Sequence, residues 1–94
     1  MQFEWNDKKA QTNKEKHKIS FEEAKTVFDD EDALFLYDSS HSLDEDRYIL
    51  LGMSSSFRLL VVCHAPQQNN ELIRIISARA ANKQEVKQYQ DLHL

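Results

Sequence analysis

Apolar residues follow two rhythms along this chain: sparse and helix-spaced up to about residue 28, dense and strand-like from residue 33 to residue 79. A short apolar anchor, Phe3-Glu-Trp5, comes first. Asn6 is placed as the N-cap of a helix running to about His17, whose weak stripe is Ala10, Asn13 or Lys14, and His17. Ser20 and Glu23 have capping-box spacing, with Ile19 and Ala24 placed as a hydrophobic staple. Phe21, Ala24 and Phe28 then share one face of a short second helix. Four apolar runs of strand length follow, at 33–37, 47–52, 57–64 and 72–79. The connections at 54–56 and 66–70 are short enough for hairpins, so the last three runs predict an antiparallel meander. Asn82 and Glu85 repeat the capping spacing and open a final helix to about Gln90. The expectation is one α+β domain over residues 1–94: an antiparallel sheet of about four strands plus a short N-terminal strand, packed with two N-terminal helices and one C-terminal helix.

Strand alternation puts Arg58, Leu60, Val62 and His64 on one face, with Arg58 and His64 roughly 20 Å apart along the strand. A turn at 67–70 sets Arg58 directly opposite Arg79, and a slip of one residue sets His64 opposite Arg74 instead. We take the first as the working register, in which Arg74 points away from Arg79 and Lys83 lies close to Arg79. Like charges facing each other need an anion or a carboxylate between them. The arginines therefore either hold a phosphate or pair with acids of the 29–46 segment.

Charge sharpens this picture. The net −4 divides into +2 over residues 1–21, −9 over residues 22–46 and +3 over residues 47–94. Overall acidity argues against non-specific nucleic-acid binding, yet the segregation leaves room for a basic face and for an acidic surface that attracts a basic partner. The single cysteine, Cys63, lies in an apolar run, which excludes a disulfide framework and suits a reducing cytoplasm. The N-terminus lacks the basic-then-apolar layout of a secretory signal, and no apolar run approaches the ~20 residues of a membrane span. Spacings give no Cys/His metal pattern and no nucleophile elbow. A single glycine, Gly52, removes phosphate-cradling loops, so neither metal nor cofactor is expected. Among the histidines, His17 closes a lysine-rich helix and His64 ends a strand, so either could move a proton. His41, in a Ser/Asp-rich loop, and His93, near the chain end, are given no role.

Several words of the chain fall in the order of a known family. They are Phe3-Glu-Trp5, Lys9 with Asn13, Lys16-His17, Ile19-Ser-Phe-Glu-Glu-Ala24 and Val27-Phe-Asp-Asp30, then Arg47, Gly52, Arg58-Leu59, His64 and Arg74-Ile-Ile-Ser-Ala-Arg79, with Glu85 and Tyr89. Together they resemble the BrnT family of bacterial toxins over nearly the whole chain. The resemblance implies a RelE-like fold, ribonuclease activity and a cognate BrnA-like antitoxin with a ribbon-helix-helix DNA-binding domain. It also implies a 2:2 complex that represses its own operon, with operator DNA touched only through the antitoxin. Two departures stand out: Asn6 where the family often has Asp, and Ala65-Pro-Gln-Gln-Asn-Asn70 where many relatives carry a Thr and a basic residue.

For an RNA substrate, Arg58 and Arg79 are then expected on the phosphate, with Lys83, Arg74 and Arg47 as further substrate-binding cations. His64 or His17 would act as acid or base, and Tyr89 would position or stack on RNA. The competing reading is a catalytically silent toxin fold that binds a basic, partly folding partner. Direct DNA reading by this chain is disfavoured, because no basic recognition helix is present.

Overall fold

The computed structural model describes residues 1–92. Its elements are β1 (Gln2–Glu4), α1 (Asp7–His17), α2 (Phe21–Thr26), a 3-10 turn (Val27–Asp29), β2 (Leu34–Tyr37), a second 3-10 turn (Ser39–His41), β3 (Tyr48–Met53), β4 (Leu59–Gln67), β5 (Leu72–Ala80) and α3 (Lys83–Asp91). The strands form one sheet in the order β1-β5-β4-β3-β2, antiparallel throughout except for β1 alongside β5. The expected α+β architecture is therefore present. Among the described residues, no helix is long and apolar enough to cross a membrane.

The caps lie where the spacing places them. Asn6 accepts the Lys9 amide at 3.0 Å, and Lys18 ends α1 in a left-handed conformation, its N–H bonded to the Lys14 carbonyl. Ser20 accepts the Glu23 amide at 3.0 Å, but the Glu23 carboxylate turns to Ser54 and Arg58 and so leaves the capping box half made. Asn82 and Glu85 complete theirs.

Ile19, Phe21, Ala24 and Val27 of the helical layer pack on Leu50, Leu60, Val62, Ile75 and Ala78 of the sheet. Phe3, Trp5 and Phe28 close the rim, with Trp5 edge-on to Phe21 and Phe3 edge-on to Phe28. Gly52 is required by close approach. A Cβ there would stand 2.8 Å from the Ala33 Cβ and 2.9 Å from a Val27 methyl. That approach lets Asp30 accept the Met53 amide and the Tyr89 hydroxyl, both at 2.7 Å, which ties α3 to the edge of the core.

The β4–β5 register differs from both expected ones. Gln68, Asn69 and Asn70 all adopt left-handed conformations, so β4 continues through Pro66 to pair Gln67 with Leu72. A bulge follows: Cys63 faces Ser77 and His64 faces Ile75, leaving Ile76 without an opposite residue. Beyond the bulge Val61, not Arg58, faces Arg79. The extra residue also resets the alternation of β5. Ala65, Cys63 and Val61 share one face of β4; Arg74 stands opposite Ala65 and Arg79 opposite Val61. Arg74 and Arg79 therefore lie on the same face, away from the helices, where strict alternation would part them.

The free edge of β5 past β1 is closed by a side chain. Asn13, 6% exposed, donates to the Ala78 carbonyl at 2.9 Å and to the Ile19 carbonyl at 3.0 Å, and accepts the Ala78 amide at 3.1 Å. It does for one residue what a sixth strand would do.

Candidate active site

Two grooves meet at the β5 bulge, sharing Ile76 and Ser77 as a common wall. The smaller, of about 240 Å³, lies over the helix-free face of the sheet, with Ile49, Val61 and Cys63 as its floor and Asp38, His41, Arg47 and Arg79 around it. The larger, of about 480 Å³, runs between β5 and α1 and presents Lys8, Lys9, Lys16 and His17. Lys8, Lys9 and Lys16 recur so that one side of α1 carries them, while Asn13 fixes that helix to β5. Among the described residues, none of Lys8, Lys9 and Lys16 is held in an ion pair. The basic N-terminal and C-terminal segments thus converge on one bulged strand.

On the helix-free face each arginine has a carboxylate nearby. Arg79 makes a two-pronged pair with Glu85, at 2.8 and 2.9 Å, which holds the Glu85 carboxyl below its usual range. Glu45 pairs with Arg74 and lies 3.6 Å from Arg47 Nε, too far for a hydrogen bond. Arg47 Nε is buried there with no hydrogen-bond partner, its ion-pair contact to Glu45 being too long to supply one. The Cys63 thiol lines the same groove, and burial raises its pKa.

Beside these cations stands a histidine the sequence reading passed over. Asp38 is buried, and both of its carboxylate oxygens meet His41 Nδ1, at 3.0 and 3.2 Å. The turn that carries the pair is internally braced. Ser40 donates to Asp38, and the Ser42 hydroxyl joins the Asp38 carbonyl at 2.6 Å to the Arg47 amide at 3.0 Å. A carboxylate on Nδ1 selects the tautomer with a proton on that nitrogen and leaves Nε2 as the basic site. The signal in the chain was Asp38-Ser-Ser-His41, an acid three residues before a histidine in a run of hydroxyl side chains.

The expected residues divide sharply. Arg79, Arg47 and Arg74 come to the helix-free face, and His17 to the adjoining groove. Arg58 does not join them. It precedes β4, reaches the helical side, and pairs with Glu23 while donating to the Lys18 carbonyl. The expected Arg58–Arg79 pair is thus absent, because the longer β4–β5 hairpin and the bulge move Arg79 up to Val61. His64 is wholly buried among Phe28, Phe35 and Tyr48. Its Nδ1 meets the Val62 carbonyl at 3.2 Å, its Nε2 has no partner, and burial lowers its pKa. Tyr89 faces Asp30 rather than a groove, and burial together with that carboxylate pushes its pKa up to about 12. Lys83 is exposed at the start of α3, where Glu85, not Lys83, meets Arg79. His93 lies outside the described residues. Among the described residues, no group of three or more His, Cys, Asp or Glu side chains is placed to hold a metal ion.

The model of a family described as "Ribonuclease toxin, BrnT, of type II toxin-antitoxin system" matches residues 5–85. No curated protein matches the chain. Among solved structures, the fold is similar to the 1.1 Å crystal structure of the Brucella abortus ribonuclease toxin BrnT. The two are 24% identical, aligned over 88% of this chain and 99% of that one, with a TM-score of 0.67.

Proposed function

The chain belongs to the BrnT family of ribonuclease toxins of type II toxin–antitoxin systems, and from that premise we propose that it cleaves RNA in the groove between Asp38–His41 and Arg79. The observation that carries this reading is the braced His41 beside two arginines, one of them with an orphaned buried N–H. RNA laid across the bulge would run from the α1 lysines into the arginine groove, crossing Ile76 and Ser77. Arg47 turns the exposed part of its guanidinium to the scissile phosphate. Arg79 shares its guanidinium between Glu85 and the same phosphate, and Arg74 adds charge from beyond Glu45.

His41 Nε2 takes the proton from the 2′-hydroxyl, and the 2′-oxygen attacks the adjacent phosphorus. The bond from phosphorus to the 5′-oxygen breaks, leaving a cyclic phosphate and a 5′-hydroxyl. We assign the proton for that leaving oxygen to His17, the imidazole on the other side of the shared wall. Asp38 is a positioning residue: it holds the His41 tautomer and steadies the imidazolium formed in the step. No metal enters this scheme. His64, which is buried, and Tyr89, which is engaged by Asp30, take no part. In the cell, cleavage would inhibit translation and growth in the cytoplasm until a ribbon-helix-helix antitoxin neutralises it, and that partner would supply the operator contacts, in a 2:2 complex.

The test incubates the purified chain with total RNA in EDTA, beside His41→Ala, Arg79→Ala and Arg58→Ala, each scaled to its folded fraction. A general base and a preorganised cation typically contribute about 10²–10⁴-fold each. His41→Ala and Arg79→Ala should fall by about 10² or more, while Arg58→Ala keeps its activity. Cleavage by His41→Ala within threefold of the parent, or cleavage abolished by EDTA, refutes the scheme. A second reading is favoured by one observation. All four arginines sit in carboxylate pairs, and the 65–70 loop lacks a cation. A silent toxin fold, retained to bind its antitoxin, would leave RNA intact while still binding that partner.

A further inference from the structure

The two edges of the sheet are finished in opposite ways. On the β1–β5 side, β1 is only three residues long, and past it Asn13 occupies the backbone of Ala78. On the other side β2 ends the sheet with the run Leu34-Phe35-Leu36-Tyr37, which contains no lysine, proline or bulge to blunt it. The register and the bond from the Asp38 amide to the Arg47 carbonyl, at 2.9 Å, fix which groups are spent on β3. Leu34 and Leu36 are the hydrogen-bonded positions, so Phe35 and Tyr37 turn their N–H and C=O groups to the open edge.

Side chains reinforce the exposure. Phe35, Leu36 and Tyr37 are 59%, 51% and 52% exposed, and Leu43 in the following loop is 96% exposed. Phe35 stacks on Tyr48 at 4.8 Å, and Tyr37 stands edge-on to Tyr48 at 5.4 Å. The aromatic rings that enclose His64 therefore run out of the core to this edge as an ordered apolar strip. Charge identifies what could cover it. The strand lies within the segment of net charge −9, with Glu31 and Asp32 before it and Asp44, Glu45 and Asp46 after it. A second copy of the chain would bring two such segments together, which like-charge repulsion opposes. A basic partner gains where a self-pair loses.

We propose that the open edge of β2 takes up an extended segment of the antitoxin, apolar at alternate positions and flanked by lysine or arginine, as a sixth strand. This rests on the family reading that an antitoxin exists, and adds where it docks and in what conformation. Because β2 leads directly into Asp38 and His41, a strand held there also stands at the mouth of the arginine groove. Capture of the edge and silencing of the site then become one event.

The test measures binding of the full chain to its antitoxin, together with amide hydrogen exchange of the complex. Two variants are used: Phe35→Pro, which removes an edge-facing N–H without touching the β3 ladder, and Leu36→Lys, which leaves the aromatic strip intact. On binding, the Phe35 and Tyr37 amides should become protected, while the Leu36 amide, already bonded to β3, changes little. Each variant should weaken binding by about 30-fold or more, with the melting temperature of Leu36→Lys close to that of the parent. Tight binding with protection elsewhere, and both variants binding like the parent, overturns the docking site but leaves the antitoxin reading standing. No complex at all overturns both. Protection of Phe35 and Tyr37 that grows with the concentration of this chain alone overturns the choice of occupant in favour of self-pairing.

Discussion

Replacing Asn13 by alanine should cost this protein more stability than any exposed substitution, and the structure sets the scale. One amide group makes three buried hydrogen bonds, to the Ala78 carbonyl, the Ala78 amide and the Ile19 carbonyl. Its loss leaves three backbone groups without partners. Each buried orphan costs about 1–3 kcal/mol, and water entering from the lysine groove recovers part of that, so about 3–5 kcal/mol is expected. Against a total of roughly 5–15 kcal/mol, that is a large share. With a urea slope of about 1–3 kcal/mol per molar, the unfolding midpoint should fall by about 2 M. Asn13→Asp provides a control of sign. Its carboxylate can still accept the Ala78 amide but would face two carbonyls, so burial raises its folded pKa above the unfolded value. Any stability it keeps is present at low pH and lost as pH rises through that folded pKa. Urea melts at pH 7.5 and pH 5 separate the two variants: Asn13→Ala stays low at both, whereas Asn13→Asp gains on acidification relative to Asn13→Ala. A midpoint for Asn13→Ala within about 0.5 M of the parent, at unchanged slope, would show that the β5 edge does not depend on this side chain.

Three further outcomes follow from the packing. Gly52→Ala forces a Cβ into the Ala33 and Val27 side chains and toward Asp30, an overpacking worth about 1–3 kcal/mol, read as a lower urea midpoint. Tyr89→Phe removes a 2.7 Å bond to a carboxylate and should cost about 1.5 kcal/mol, while RNA cleavage per folded molecule stays unchanged. Loss of cleavage there would return Tyr89 to the substrate. His64 is buried with its pKa depressed, so on acidification the unfolded chain takes up the proton first. Stability should therefore fall as pH drops below about 6.5, by up to about 1.4 kcal/mol per pH unit, until the folded pKa is reached. Urea melts at pH 7.5, 6.5 and 5.5 should show this limb in the parent and a flatter one in His64→Leu; equal limbs would place the proton uptake elsewhere.

What could be read from the chain before folding was whatever a few neighbouring residues decide among themselves. Asn6, Ser20 and Asn82 cap helices because the bonds they make lie three residues away. The apolar runs became strands because their composition leaves little else to do with them. Register is a different kind of quantity. It depends on how many residues a turn consumes and whether a strand carries an extra one, and neither leaves a periodic trace. Three successive left-handed residues at 68–70 lengthened β4, and one unpaired residue, Ile76, shifted everything beyond it. Each error was a residue or two, yet together they exchanged the partner of Arg79 and turned Arg79 to the face that Arg74 occupies. The site inherits that sensitivity. Cations could be assigned to a basic face from charge segregation, but which cations share it follows from the bulge. The same logic explains the omission of His41. A histidine in a polar loop is unremarkable until the loop is braced, and the bracing here comes from Ser42 joining Asp38 to Arg47 across the turn. That turn both presents His41 to the groove and starts at the end of the open strand β2, so the segment hardest to interpret from sequence is the one where catalysis and partner recognition would meet.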